Sequence, residues 1–276
     1  MQTFLQHPFD HDQDAPPLRV RNLSLQYDSG GYALRDISFS LEGHKLTAVV
    51  GPNGAGKTTL FKLISGTLHP TSGSIDVYGE GPGKHVCIAY VPQRSQVDWE
   101  FPVTVREVVM MGRIRKIGLF RWPSSRDWDH VQAALIRVGM EKFSDRQIGA
   151  LSGGQQQRVF LAQAISQEAE VVLLDEPLTG LDLPSQDAIF DIMQSMRNEG
   201  AAVLVATHDL NLAAEHFDQA LLLNRQLISF GPPEEVFKRD NLINAYGAQV
   251  HVLSGEDHAL VLADTCCEGE EPHTHG

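Results

Sequence analysis

Gly51-Pro52-Asn53-Gly54-Ala55-Gly56-Lys57-Thr58-Thr59 collects what a phosphate binder needs. Its glycines let backbone N–H groups turn toward phosphate oxygens without Cβ clashes. If a helix starts at its end, the positive end of that dipole adds to the site. Lys57 then suits the β- and γ-phosphates, Thr58 a Mg²⁺ ion, and Thr59 a further phosphate oxygen. An ordinary glycine turn is the alternative. Asp175-Glu176 follows the apolar run Val171 to Leu174. At the carboxyl end of a buried strand, Asp175 would hold Mg²⁺, and Glu176 would orient or deprotonate an attacking water. Alone, such a pair reads as a solvated loop. Ser152-Gly153-Gly154-Gln155, preceded by Leu151, carries two glycines where a helix begins, exposing N–H donors to a phosphate. Ser152 as a plain N-cap is the other reading.

These residues need elements to hold them. Lys45 to Val50 reads as a short strand running into the glycine loop, and Thr58 to Ser65 as the helix behind it. That order is the context the loop requires. Leu18, Val20, Leu23, Leu25 and Tyr27 alternate imperfectly, as in an edge strand. Ser74 to Tyr78 and Val86 to Val91 read as strands. From Gln93 to about Gln167 strand signals vanish, and Thr104 to Gly112 and Asp127 to Val138 have helical periodicity, as in an inserted helical lobe. Val171 to Leu174 and Val203 to Ala206 are continuous apolar runs of buried parallel strands. Ser185 to Arg197 between them reads as a helix, with Pro184 near its first turn. The alternation predicts an α/β fold with a mostly parallel sheet covered on both faces.

The 276 residues are 42% hydrophobic, enough for a large core or two lobes sharing one. Net charge is −13, from 22 basic and 35 acidic residues. No dense Lys/Arg run marks a nucleic-acid face. Phe120-Arg121-Trp122 reads as helix packing rather than a base-stacking platform. No apolar run reaches the roughly 18 residues that span a bilayer. Residues 1–17 read as a flexible leader without the apolar stretch of a secretory signal, which predicts a cytoplasmic protein. Three cysteines, Cys87, Cys266 and Cys267, argue against a disulfide framework. After Tyr246, Val250 to Leu253 and Ala259 to Leu262 suggest a hairpin. The acidic, histidine-containing end from Thr265 reads as disordered.

The glycine loop, Leu151-Ser152-Gly153-Gly154-Gln155 and Asp175-Glu176, in that order, resemble the ATP-binding cassette ATPases from Leu18 to Tyr246. The resemblance implies a phosphate-loop ATPase core, an antiparallel β edge subdomain and a helical subdomain over about 93–167. Residues 247–276 would be a His- and acid-rich extension. It implies that Ser152 to Gln155 bind the ATP of an opposite subunit, so two ATP molecules are sandwiched in a head-to-tail homodimer. Gln93, in Val91-Pro92-Gln93, resembles the glutamine that contacts Mg²⁺ and water and senses the membrane partner. His208 resembles the switch histidine at the γ-phosphate. Asp182, in Leu178-Thr179-Gly180-Leu181-Asp182, resembles the acid that reaches across the dimer. Tyr27 resembles the aromatic that stacks on adenine, with edge or core packing as the alternative.

Val91 to Val105, with Val108-Val109-Met110-Met111-Gly112-Arg113, is similar to the ATPases of manganese and zinc uptake systems. This implies a separate membrane permease docked on the helical lobe, an extracytoplasmic metal-binding protein acting through it, and a peripheral place on the cytoplasmic face of the membrane. The acidic composition already argues against a nucleic-acid partner. Manganese is favoured, then zinc, with iron third. Asp98-Trp99-Glu100 reads as an exposed docking loop rather than a metal site. His251, His258, His273, His275, Cys266 and Cys267 suggest a metal-sensing tail, against a solvated terminus as the default. Two other classes compete. A soluble cassette ATPase of translation or repair usually carries two cassettes or a long coiled-coil insertion, and neither is visible. A nucleotide-binding regulator without turnover needs neither Glu176 nor His208.

Overall fold

The computed structural model describes residues 15–27, 30–80, 88–118 and 120–247. The described residues open with β1 (Leu18–Gln26) and β2 (Tyr32–Leu41), then β3 (Leu46–Val50) and helix α1 (Lys57–Ile64). Strands β4 (Ser72–Asp76) and β5 (Ile88–Val91) precede four helices: α2 (Val105–Met111), α3 (Ile114–Ile117), α4 (Ser125–Arg137) and α5 (Gly153–Gln167). Strand–helix alternation then resumes with β6 (Val171–Asp175), α6 (Leu183–Asn198), β7 (Ala202–Thr207) and α7 (Leu210–His216). The described chain ends with β8 (Gln219–Asn224), β9 (Gln226–Gly231), α8 (Pro233–Val236) and α9 (Arg239–Tyr246).

Two sheets form. The larger has the order β5-β6-β7-β3-β8-β9, parallel except for β9. Every residue of β3, β6 and β7 is buried, as a parallel sheet covered on both sides requires. Alternate residues serve different cores. Val49, Leu173 and Leu204 meet α1 and the small sheet, while Ala48, Val50, Leu174 and Val205 meet the opposite helices. The small sheet is antiparallel, in the order β2-β1-β4.

Strand β1 is therefore central, not an edge. Its imperfect alternation comes from register shifts against both neighbours. Asn22 takes a left-handed φ of 46°, and its amide donates to Ser38 Oγ rather than to the ladder. The reading of Phe120-Arg121-Trp122 as helix packing is also overturned. Phe120 is 94% and Trp122 92% exposed. The two rings lie in the turn between α3 and α4, because α4 begins only after its N-cap Ser124, which forms a capping box with Asp127 in the first turn. The hairpin expected at 250–253 and 259–262, the cysteines and the histidines of the tail lie outside the described residues.

Candidate functional site

Strand β3 delivers Gly51 at its carboxyl end, and α1 starts at Lys57. The loop between them is locked from behind. A Cβ on Gly51 would meet Leu223 O at 2.0 Å. Gly56, at φ 99°, caps α1, and a Cβ there would meet Leu34 Cδ2 at 2.5 Å. Asn53 and Gly54 form the exposed tip, while Pro52, Thr58 and Thr59 are half-buried. Backbone bonds pin the loop, from Ala55 N–H to Pro52 O at 3.1 Å and from Arg225 N–H to Ala55 O at 2.8 Å. Lys57 is buried, and its ammonium donates to Gly51 O at 2.6 Å and Pro52 O at 3.2 Å. Burial pulls its pKa down, opposed by the charges of Glu176 and Asp175. The loop thus holds a cation beside two carboxylates.

Asp175 closes β6 and is 2% exposed. Its Oδ2 accepts from Thr58 Oγ1 at 2.7 Å and from the Tyr90 hydroxyl at 3.4 Å. Burial raises its pKa, and the neighbouring Glu176 adds to the rise, while Thr58, Tyr90 and Lys57 pull the other way. Burial also raises the Tyr90 phenol, with Asp175 adding to it, so this hydroxyl remains a donor. Glu176 follows at a left-handed φ of 50°, rare for a non-glycine residue. Its N–H donates to Ala206 O at 3.1 Å. Its Oε2 accepts from Gln93 Nε2 at 2.9 Å and from Thr179 Oγ1 at 3.4 Å.

Gly51, Gln93, Asp175 and His208 all lie at or just beyond the carboxyl ends of the parallel strands β3, β5, β6 and β7. That end of an open α/β sheet is where ligands bind. His208 is exposed there, one residue beyond β7. Tyr27 lies just after β1, is 53% exposed, and is fixed by backbone bonds to Gly30 and Gly31. Its ring is not core.

Ser152 caps α5 in a reciprocal box: Gln155 N–H donates to Ser152 Oγ at 3.4 Å and Ser152 N–H to Gln155 Oε1 at 3.0 Å. The plain cap is therefore present, with each side chain accepting from the other residue's backbone N–H. A Cβ on Gly153 would lie 2.8 Å from Arg94 Nη1 and 3.4 Å from Leu181 Cδ2. A Cβ on Gly154 would meet Ser185 Oγ at 2.6 Å. The start of α5 is thus wedged between the loop after β5 and the first turn of α6. Asp182 is the exposed N-cap residue of α6, its carbonyl accepting from Ser185 and Gln186 N–H. Helix α5 packs chiefly on α2, α4, α6 and β5.

Local sequence order assigns no site role to Tyr90 or Arg94. Tyr90 had a signal: a phenol in a buried strand needs a hydrogen-bond partner. Asp98-Trp99-Glu100 is not uniformly exposed, because Trp99 turns onto α5 and meets Phe160 edge-on at 5.7 Å. Among the described residues no group of three His, Cys, Asp or Glu side chains is placed to hold a metal ion, and no helix is long and apolar enough to cross a membrane.

Residues 34–179 match the family model described as ABC transporter. The chain is 44% identical, over 233 residues, to the manganese transport system ATP-binding protein MntA of Synechocystis, covering 83% of this chain and 90% of that one. It is 42% identical over 234 residues to the zinc transport system ATP-binding protein TroB of Treponema pallidum, covering 84% and 88%. A solved chain of a metal-chelate type ABC transporter in an inward-facing conformation superposes with a TM-score of 0.74 at 30% identity, covering 83% and 88%.

Proposed function

The chain belongs to the ABC transporter family as an ATP-binding ATPase subunit, and we propose that it drives uptake of a divalent transition metal, manganese first. The observation that carries the chemistry is the paired geometry at the strand ends. Thr58 meets Asp175 at 2.7 Å and Gln93 meets Glu176 at 2.9 Å, with the buried Lys57 beside them.

In this reading the loop N–H groups, Lys57 and Thr59 hold the ATP phosphates, and Tyr27 stacks on adenine. The Thr58 hydroxyl, the Asp175 carboxylate and the Gln93 amide oxygen form a set of hard oxygen donors, which fits Mg²⁺. When bound, Mg²⁺ supplies charge neutralisation at the phosphates. Glu176 accepts a proton from the attacking water, and Gln93 and Thr179 orient its carboxylate. His208 contacts the γ-phosphate. Ser152 to Gln155 and Asp182 serve the ATP of a second copy, as the family likeness suggests. Two copies would then enclose two ATP molecules, and hydrolysis would release the closed state.

A permease docks on the helical lobe over about 93–167, with an extracytoplasmic metal-binding protein acting through it. The subunit is peripheral to the cytoplasmic face of the membrane. Manganese is supported by the MntA likeness, and zinc stands second on the TroB likeness. The test is cellular metal content by mass spectrometry in cells carrying this chain or Glu176→Gln, under manganese and then zinc limitation. Selective manganese loss in the variant is expected. Selective zinc loss moves the substrate to zinc, and no change in any metal ends the importer reading.

A further inference from the structure

We propose that Arg94 is a positioning residue that clamps the first two turns of α5 to the loop bearing Gln93, and so ties Ser152–Gln155 to the state of Glu176. The inference rests on the shared-site reading above.

The contacts fall on one stripe of α5. Arg94 Nε donates to Gln156 Oε1 at 3.0 Å. Its guanidinium covers Gly153 so closely that a Cβ there would lie 2.8 Å from Nη1 and 3.1 Å from Cζ. It also lies 5.7 Å from the centroid of the Trp99 ring. The indole donates back from Nε1 to Arg94 O at 3.0 Å and meets Phe160 edge-on at 5.7 Å. Gly153, Gln156 and Phe160 stand at i, i+3 and i+7, the spacing of one helix face. Gln156 is buried and also donates from Nε2 to Ile148 O at 3.2 Å, so both ends of its amide are engaged. A Cβ on Gly149 would meet Trp99 O at 2.4 Å, which holds the far end of the loop against the turn before α5.

At its other end the same loop is tied to the chemistry. Gln93, adjacent to Arg94, donates to Glu176 Oε2 at 2.9 Å. A displacement of Gln93 therefore moves Arg94, and Arg94 cannot move without releasing Gln156 and Gly153. The hydrogen bonds that pin the glycine loop run to Gly51, Pro52, Ala55 and Arg225, and Arg94 takes part in none of them. Its role is to set where the N–H groups at the start of α5 point.

The test uses the full chain in three forms: Glu176→Gln, Glu176→Gln with Arg94→Ala, and Glu176→Gln with Arg94→Lys. Binding of a fluorescent ATP analogue to the isolated chain is expected to stay unchanged in all three, while Arg94→Ala lowers the melting temperature by a few degrees without unfolding the chain. Amide exchange across residues 153–160 is expected to quicken about tenfold with Arg94→Ala, the size of one charge-assisted hydrogen bond. The ATP concentration that half-assembles the dimer, read by light scattering, is expected to rise about tenfold, and Arg94→Lys to recover part of both effects. Unchanged exchange overturns the clamp. Faster exchange with unchanged dimer assembly overturns the positioning role and leaves a local packing contact. If Glu176→Gln with Arg94 intact does not assemble on ATP, the shared-site reading itself has failed, and this inference falls with it.

Discussion

Glu176 occupies a left-handed backbone position, its N–H tied to Ala206 O and its carboxylate to Gln93 and Thr179. Glutamine fits this position in shape and still offers an oxygen to Gln93, but it takes no proton from water. Glu176→Gln is expected to bind ATP normally and to hydrolyse it about 10²–10⁴-fold more slowly, the usual weight of a positioned base. Phosphate release measured beside nucleotide binding checks this, and normal turnover would remove Glu176 from the base role. Lys57 is different: its ammonium is the buried cation of the loop. Lys57→Ala is expected to lower ATP affinity on the order of 10–100-fold, since charge-assisted bonds to phosphate are lost. Unchanged affinity by equilibrium binding would refute that role. These two residues were legible because loop and strand motifs announce themselves in local order. Tyr90 and Arg94 were not, because their partners Asp175 and Gln156 lie 85 and 62 residues away.

At the scale of elements, a buried ionic cluster ties helices α3, α4 and α5 together. Arg113 is buried and reaches Asp127 at 3.3 Å, Glu168 at 2.8 Å and Ser166 O at 3.0 Å, while Lys116 pairs with Glu168. This joins α3, the first turn of α4 and the C-cap of α5. Burial pushes the Glu168 pKa up, but Lys116 and Arg113 outweigh it and hold it below the ordinary value. With the folded pKa below the unfolded one, the stabilisation is complete above the unfolded value of about 4.3 and is lost as pH falls through the folded value. Glu168→Gln is expected to cost on the order of 3 kcal/mol at pH 7, because Arg113 is left buried and underpaired. Urea unfolding of both forms should show that gap narrowing below about pH 4.3. A gap independent of pH would mean packing, not charge, is lost. Elements with unbroken patterns, such as β3, β6, β7 and α6, could be read from sequence. Strand β2 escaped because Asp36, at φ 53°, breaks its alternation between Leu34 and Ile37. Strands β8 and β9 escaped because Arg225, at φ 57°, turns the chain with no glycine, asparagine or proline at that position. The central place of β1 was illegible for a further reason: β4, its second neighbour, arrives about 50 residues later.

For the whole molecule the question is what one copy lacks. The glycine loop, Asp175 and Glu176 gather at the carboxyl ends of the sheet, while Ser152 to Gln155 stand at the start of α5. If each ATP is held by the loop of one copy and the α5 start of another, two different defects should complement. Lys57→Ala disables the loop. Ser152→Asp keeps the helix cap, since aspartate caps as well as serine, but sets a negative charge where the partner's triphosphate would come. Each variant alone has two damaged sites per dimer. Mixed in equal amounts, half of the dimers pair one of each, and in these one site has a good loop facing a good α5 start. A head-to-tail dimer with independent sites therefore recovers about a quarter of the wild-type ATPase rate on mixing. Sites built within single chains recover nothing. Steady-state hydrolysis of the two variants, separately and mixed, decides between these outcomes. A mixture no more active than its components would confine catalysis to one chain and leave the two glycines of α5 with a purely structural role against Arg94 and Ser185.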